Sequence, residues 1–282
     1  MRYGFVVPNN FGIDRVHDVV RLGVRAETLG YHSVWVNHHV LNLGYVRDRL
    51  EDAPYHDALV TLTWLAARTS RVQVGTSVLV MPYLHPMVLA KELATLDHLC
   101  GGRLVVGLGV GSLPEENAAL GVPYDSRGRY SDEFIEVMRL LWTQREASFH
   151  GAHFRFDAVI SSPKPLQQPH PPLLVGGNRP PALRRAGRLG DGWHGLGVSP
   201  DGVRKRLPAI QAAAQSAGRD HADQPVQVRL DMSRVTRESV EAYAEAGVTE
   251  LVMSLNTDDV AAQEAALVTF AREVMGRDGR RY

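Results

Sequence analysis

Eight short runs of β-branched and apolar residues, each followed by a longer helical stretch, predict an α/β chain folded as a single (β/α)8 TIM barrel. Two further observations support that reading. The length of 282 residues suits a barrel of about 250 residues, and no linker, low-complexity tract or sequence repeat divides residues 1–282. An open doubly wound sheet uses the same units but rarely eight without a domain break.

The first strand is expected over residues 3–7, with its helix over 13–29 closed by Gly30. The second strand covers 33–36, and a helix over 57–69 starts at Asp57, a suitable N-cap. A third strand over 72–80 leads to a helix over 86–99, stopped by Gly101 and Gly102. The fourth strand, 104–108, precedes a long helix over 131–142. The polar, Pro-rich stretch 143–172 is too long for a simple barrel loop and is expected to pack over the rim. Strand five is 173–175 with a helix over 181–188, and strand six is 192–195. The last units pair strand 226–230 with helix 237–246, and strand 250–255 with helix 259–275.

Composition narrows the function. Lysine plus arginine and aspartate plus glutamate number 31 each, and no basic stripe suggests nucleic acid or an anionic membrane as a partner. A chain of this size buries a core without disulfides. The single cysteine, Cys100, suits a reducing cytoplasm. Neither a signal peptide nor an apolar run of bilayer length is visible, so the expectation is a soluble protein acting on a small molecule.

In a barrel of this kind function sits at the C-terminal ends of the strands. There the sequence places Asn37-His38-His39, Gly75-Thr76-Ser77-Val78, Gly107-Leu108-Gly109-Val110-Gly111-Ser112, Gly176-Gly177-Asn178-Arg179 and Trp193-His194. Glycines let backbone approach a ligand closely. Gly176-Gly177-Asn178-Arg179 opens a helix, whose free amides and positive dipole end suit a phosphate, although a plain turn with a capping Asn explains it equally. The spacing of Gly107, Gly109 and Gly111 matches neither the Walker nor the dinucleotide fingerprint. His38 and His39 are adjacent, so on an extended segment only one should face the pocket. Twelve histidines are present, but no HExxH or Cys-His spacing joins them, so no metal site is expected.

Taken together, these motifs resemble the luciferase-like monooxygenases and their deazaflavin-dependent branch. The resemblance rests on Ser33-Val34-Trp35-Val36-Asn37-His38-His39, Gly75-Thr76-Ser77-Val78-Leu79, His85-Pro86, Ala94-Thr95-Leu96-Asp97, Gly101-Gly102-Arg103, Leu120-Gly121-Val122-Pro123, Pro163-Lys164-Pro165 and Pro171-Pro172-Leu173-Leu174-Val175-Gly176-Gly177. It covers nearly all of residues 1–200 and fades beyond. It implies a bacterial-luciferase-like barrel, usually a homodimer, that binds coenzyme F420 or FMN over a cis Ser77–Val78 peptide. Phosphate would then lie near Gly176, Gly177 and Asn178, beside Arg179. The implied activity is hydride transfer between F420 and a small organic substrate, with His39 as acid or base and His38 at the rim. An FMN-dependent monooxygenase and a non-catalytic flavin-binding protein are the alternatives. Two departures argue against a sugar-phosphate substrate. His38 stands where the deazaflavin dehydrogenases carry an acid, and Ser112 stands where the sugar-phosphate enzymes carry a glutamate.

Overall fold

The computed structural model describes residues 1–220 and 224–276. In chain order the elements are β1 Arg2–Val6, α1 Val16–Thr28, β2 Ser33–Val36, α2 Tyr45–Leu50, α3 Ala58–Arg68, β3 Gln73–Thr76 and β4 Leu79–Val80. Next come α4 Pro86–Leu99, β5 Leu104–Gly109, α5 Pro114–Ala119, α6 Arg127–Thr143, β6 Ala147–His150, β7 Arg155–Val159 and β8 Leu173–Gly176. The chain ends with α7 Pro180–Leu189, β9 Gly192–Leu196, α8 Pro200–Ser216, β10 Val226–Asp231, α9 Arg237–Glu245, β11 Glu250–Ser254 and α10 Val260–Glu273.

All barrel pairings are parallel, running β1-β2-β3-β5-β8-β9-β10-β11 and back to β1. The sheet therefore closes into the eight-stranded barrel that the alternation predicted. Its strands are buried on both faces, as in β5, where every residue is buried, because helices cover the outside. Among the described residues no helix is long and apolar enough to cross a membrane.

Inside the barrel, the fully buried Trp35 packs with Val6, Val105, Leu174 and Val252. It fits because Gly75 faces it: a Cβ there would lie 2.4 Å from the indole ring. The interior floor is thus one large aromatic side chain set against a strand that has none.

Three details depart from the sequence expectation, while the cis Ser77–Val78 peptide that the resemblance implied is present. The third strand is interrupted: β3 and β4 are separated by Ser77–Val78, and that peptide is cis. Both halves still pair with β5, at its start and at its end. Thr76 bridges the gap with its side chain, whose Oγ1 donates to the Gly107 carbonyl at 2.8 Å and accepts from the Gly107 amide at 2.9 Å. Helix α8 had not been assigned, because Gly202 and the internal Pro208 weaken its signal.

Part of the stretch 143–172 is regular, and at its turn the Phe154 ring meets His85 and Tyr130. It forms the antiparallel hairpin β6–β7, which Glu133 of α6 ties down by accepting amides of Ala152, His153 and Phe154. The returning segment docks at the opposite end of the barrel. There Gln167 donates from its backbone and side chain to the buried Asp97 of α4, at 2.8 and 2.7 Å, and from its side-chain amide to the Leu104 carbonyl. The need to satisfy a buried carboxylate sets that path.

Gly107→Ala tests the β3–β5 contact, since a Cβ there would lie 2.0 Å from the Thr76 carbonyl oxygen. Both elements are core strands, so the backbone has nowhere to move. Thermal unfolding should show a loss of about 2–4 kcal/mol, the upper end of the overpacking range. An unchanged melting temperature would contradict this packing.

Candidate active site

A cavity of about 450 Å³ opens at the C-terminal end of the barrel, within the size range of ligand pockets. Asn37, His38 and His39 from the end of β2 line it, as do Ser77 and Val78, Gly109 and Gly111 after β5, and Gly176 and Gly177 after β8. Gly107, Asn178 and Arg179 do not.

Two of the glycines have a packing role as well. A Cβ on Gly109 would lie 2.6 Å from Val78 Cγ2, and one on Gly176 would lie 2.9 Å from Val78 Cγ1. They make room for the Val78 side chain, which stands as an apolar platform facing the cavity. The backbone of β5 and β8 closes in on a protein side chain first and on a ligand only beyond it.

The helix start after Gly177 also differs. Helix α7 opens with Pro180 and Pro181, which have no N–H, and the Ala182 amide already donates to the Arg179 carbonyl. Few free amides are left for a phosphate. Asn178 is occupied as well, its amide donating to the Leu196 carbonyl at 2.7 Å and its carbonyl accepting from the Leu196 amide at 3.2 Å. Arg179 is exposed at the rim. Trp193 is fully buried packing, and its indole N–H holds the Gly177 carbonyl at 2.7 Å.

Both histidines face the cavity, where alternation predicted one. The strand stops at Val36, so the period-two rule no longer governs residues 37–39. Buried Asn9 shapes this segment: its side chain accepts from the Asn37 amide and donates to the carbonyls of Asn37 and His56, each at 2.9 Å. His38 Nδ1 accepts from the Val80 amide at 3.0 Å, leaving the proton on Nε2. Burial pushes its pKa down to about 4, so the ring is a neutral donor.

His39 sits between two partners. Its Nδ1 donates to Glu116 Oε2 at 2.6 Å, and Nε2 lies 2.8 Å from the Tyr45 hydroxyl. Glu116 is fully buried, and its other oxygen accepts the amides of Val40 and Leu41 at 2.7 and 3.1 Å. Burial alone would raise its pKa, but the hydrogen bonds from His39, Val40 and Leu41 outweigh that and hold it below the usual carboxylate range. The arrangement is a carboxylate that orients an imidazole, which can then exchange a proton at Nε2.

Sequence reasoning missed Glu116. The glycine turn is followed directly by Ser112, and the carboxylate that meets His39 stands further along, in α5. His194 of the rim motif Trp193-His194 lines the cavity as well, and Asn10, Tyr45, Arg49, Tyr55 and Arg229, which were not foreseen, do so too. The legible signal was on β10, where Gln227, Arg229 and Asp231 alternate with apolar residues and so share one face.

Gln227 and Arg229 join a buried network. Ser77 Oγ donates to His194 Nε2 at 2.9 Å, and His194 Nδ1 donates to Gln227 Oε1 at 2.9 Å. Gln227 Nε2 in turn donates to Glu250 Oε2 at 2.8 Å. Burial pushes the His194 pKa down to about 4 despite the bond to Gln227. Arg229 Nη1 donates to the Asn37 side chain, the Ser77 carbonyl and Ser77 Oγ.

These histidines predict an acid-sensitive fold. His38 and His194 resist protonation when folded, whereas an unfolded imidazole titrates near 6.5. The unfolded chain therefore binds more protons between about pH 6.5 and 4. The stability is fully present above that window and is lost as pH falls through it, by on the order of 3 kcal/mol per ring. Denaturant unfolding between pH 7 and 4 should show His194→Gln with a slope flatter than wild type by about 1.4 kcal/mol per pH unit. Equal slopes would mean that His194 protonates freely in the folded state.

Comparison with known proteins fits this geometry. A family model described as luciferase-like monooxygenase matches residues 1–280. An FMNH(2)-dependent dimethylsulfone monooxygenase of Pseudomonas putida is 33% identical over 208 residues, covering 73% of this chain and 55% of that protein. The chain thus spans about half the length of that relative. An F420-dependent glucose-6-phosphate dehydrogenase of Kineococcus radiotolerans is 32% identical over 229 residues, covering 77% of this chain and 65% of that one. Among solved structures, an F420-dependent secondary alcohol dehydrogenase in complex with an F420–acetone adduct superposes with a TM-score of 0.82 at 20% identity, covering 98% of this chain and 99% of that one. That likeness is one of fold. A match over almost the whole length places the chain in the luciferase-like monooxygenase family of oxidoreductases.

Proposed function

We propose that this oxidoreductase transfers a hydride between coenzyme F420 and a small organic substrate, with His39 exchanging the accompanying proton. The observation that carries this reading is the His39–Glu116 pair lining the same cavity as Ser77–Val78. The residues fit a planar ring system: Val78 offers an apolar platform, and His38 Nε2 offers a donor toward polar ring atoms. The bound deazaflavin would supply the hydride chemistry. The protein's share is to orient the ring, shield it from water and move a proton at His39 Nε2.

Arg179 supports F420 over FMN. It is exposed, and among the described residues it makes no ion pair, so it is free to meet an anionic tail. Pro180 and Pro181 withhold two amides that a single-phosphate cradle would use. The second reading is a monooxygenase fed with reduced FMN, favoured by the 33% identity to the Pseudomonas putida enzyme.

Fluorescence titration of the chain with both cofactors tests the choice. F420 should bind at least about tenfold more tightly than FMN at low ionic strength, or roughly 1.4 kcal/mol, with the margin shrinking as salt is added. Equal or tighter FMN binding, with oxygen consumed when reduced FMN is supplied, would favour the monooxygenase.

His39→Ala should lower turnover by about 10²–10⁴-fold with cofactor binding intact. Glu116→Gln leaves the imidazole in place but removes the charge that fixes its tautomer. Its turnover should fall by about tenfold or more, with an altered pH–rate profile and an unchanged cofactor dissociation constant. Normal turnover in His39→Ala would remove the assigned role.

A further inference from the structure

Arg229 is a cation without a counter-ion. Its Nη1 donates to three neutral oxygens of Asn37 and Ser77. The opposite edge of the guanidinium, Nε with Nη2, donates to no protein acceptor among the described residues, and Nε is shut off from solvent without a partner. Arg49 lines the same cavity, and among the described residues neither arginine lies in an ion pair with a carboxylate. Tyr55 presents a buried hydroxyl that also lacks a partner. Burial pushes that phenol up, so it stays a neutral donor. Burial, with a smaller push from Arg49, lowers Arg229 to about 10, which leaves it charged at neutral pH.

Leaving a partly buried cation without a counter-ion costs free energy, and such a group in a native structure calls for an explanation, a bound ion among them. Here an uncommitted guanidinium Nη2, an unpartnered hydroxyl and a second cation belong to residues that line one cavity, and a charge-assisted bond to an anion would use the Nη2 donor.

We propose that Arg229, assisted by Tyr55 and Arg49, binds the acid group of the substrate, so that the substrate is a small organic anion such as a carboxylate. This deepens the oxidoreductase reading above and rests on it for the word substrate, but the anion site can be tested without any cofactor. Isobutyrate and isobutyramide have nearly the same shape and differ in charge. Ligand-observed NMR on the cofactor-free chain should show isobutyrate binding at least about tenfold more tightly than the amide. Arg229→Gln should abolish that preference, Arg229→Lys should weaken it because a single ammonium cannot meet Asn37, Ser77 and the anion in the guanidinium's planar geometry, and Tyr55→Phe should weaken it several-fold. Circular dichroism identifies any variant that fails to fold, and the wild-type comparison with Tyr55→Phe decides the matter in that case. The preference should persist when the chain is saturated with whichever of oxidised F420 or FMN it binds.

No preference in the wild type, or a preference retained in folded Arg229→Gln, would overturn the proposal. Loss of the preference on cofactor saturation would overturn it too, because Arg229 would then serve the cofactor ring. A chain that binds isobutyrate but neither cofactor would instead refute the functional reading while leaving the anion site standing.

Discussion

The architecture turns on a column of hydrogen bonds through the barrel interior, where polar groups have no water to turn to. At its base, the fully buried Glu250 accepts from the Ser33 hydroxyl and from the Gln227 amide, and Ser33 Oγ accepts from the Trp35 indole at 2.6 Å. Burial raises the Glu250 pKa, with the Ser33 bond opposing it. Above Gln227 the column continues through His194 to Ser77. It ties β2, β9, β10 and β11 to the interruption in the third strand. Each member is satisfied only while the strands keep their register, because a one-residue slip would turn these side chains to the outer face. The column ends at the peptide on which the cavity is built.

The cavity inherits its polarity from that arrangement. Neutral His38 and His194 add donors and acceptors without charge, so the cationic character comes from Arg229 and Arg49 and the anionic character from Glu116. The two signs are kept apart. Glu116 is spent on His39 and the amides of Val40 and Leu41, while Arg229 faces neutral oxygens. The pairing that would neutralise the arginine within the protein is therefore absent among the described residues.

Periodicity made the barrel legible. β-branched runs buried on both faces, with helices between them, leave few other ways to bury so much apolar surface. The rim was legible too, because adjacent imidazoles and glycine clusters at strand ends are unusual wherever they occur. Several of the unusual features also answer to the protein itself. Gly109 and Gly176 answer to Val78, Asn178 answers to Leu196, and the long connection answers to buried Asp97.

The sequence by itself determined the closed eight-stranded barrel, the end at which the cavity opens and the family to which the chain belongs, because these follow from local pattern and short motifs. Only the tertiary structure decided which charges meet. Glu116 lies 77 residues from His39, and Arg229 lies 152 residues from Ser77. No local pattern encodes such distances; barrel closure brings the strand ends together, and the cost of burying polar groups selects which side chains face one another there.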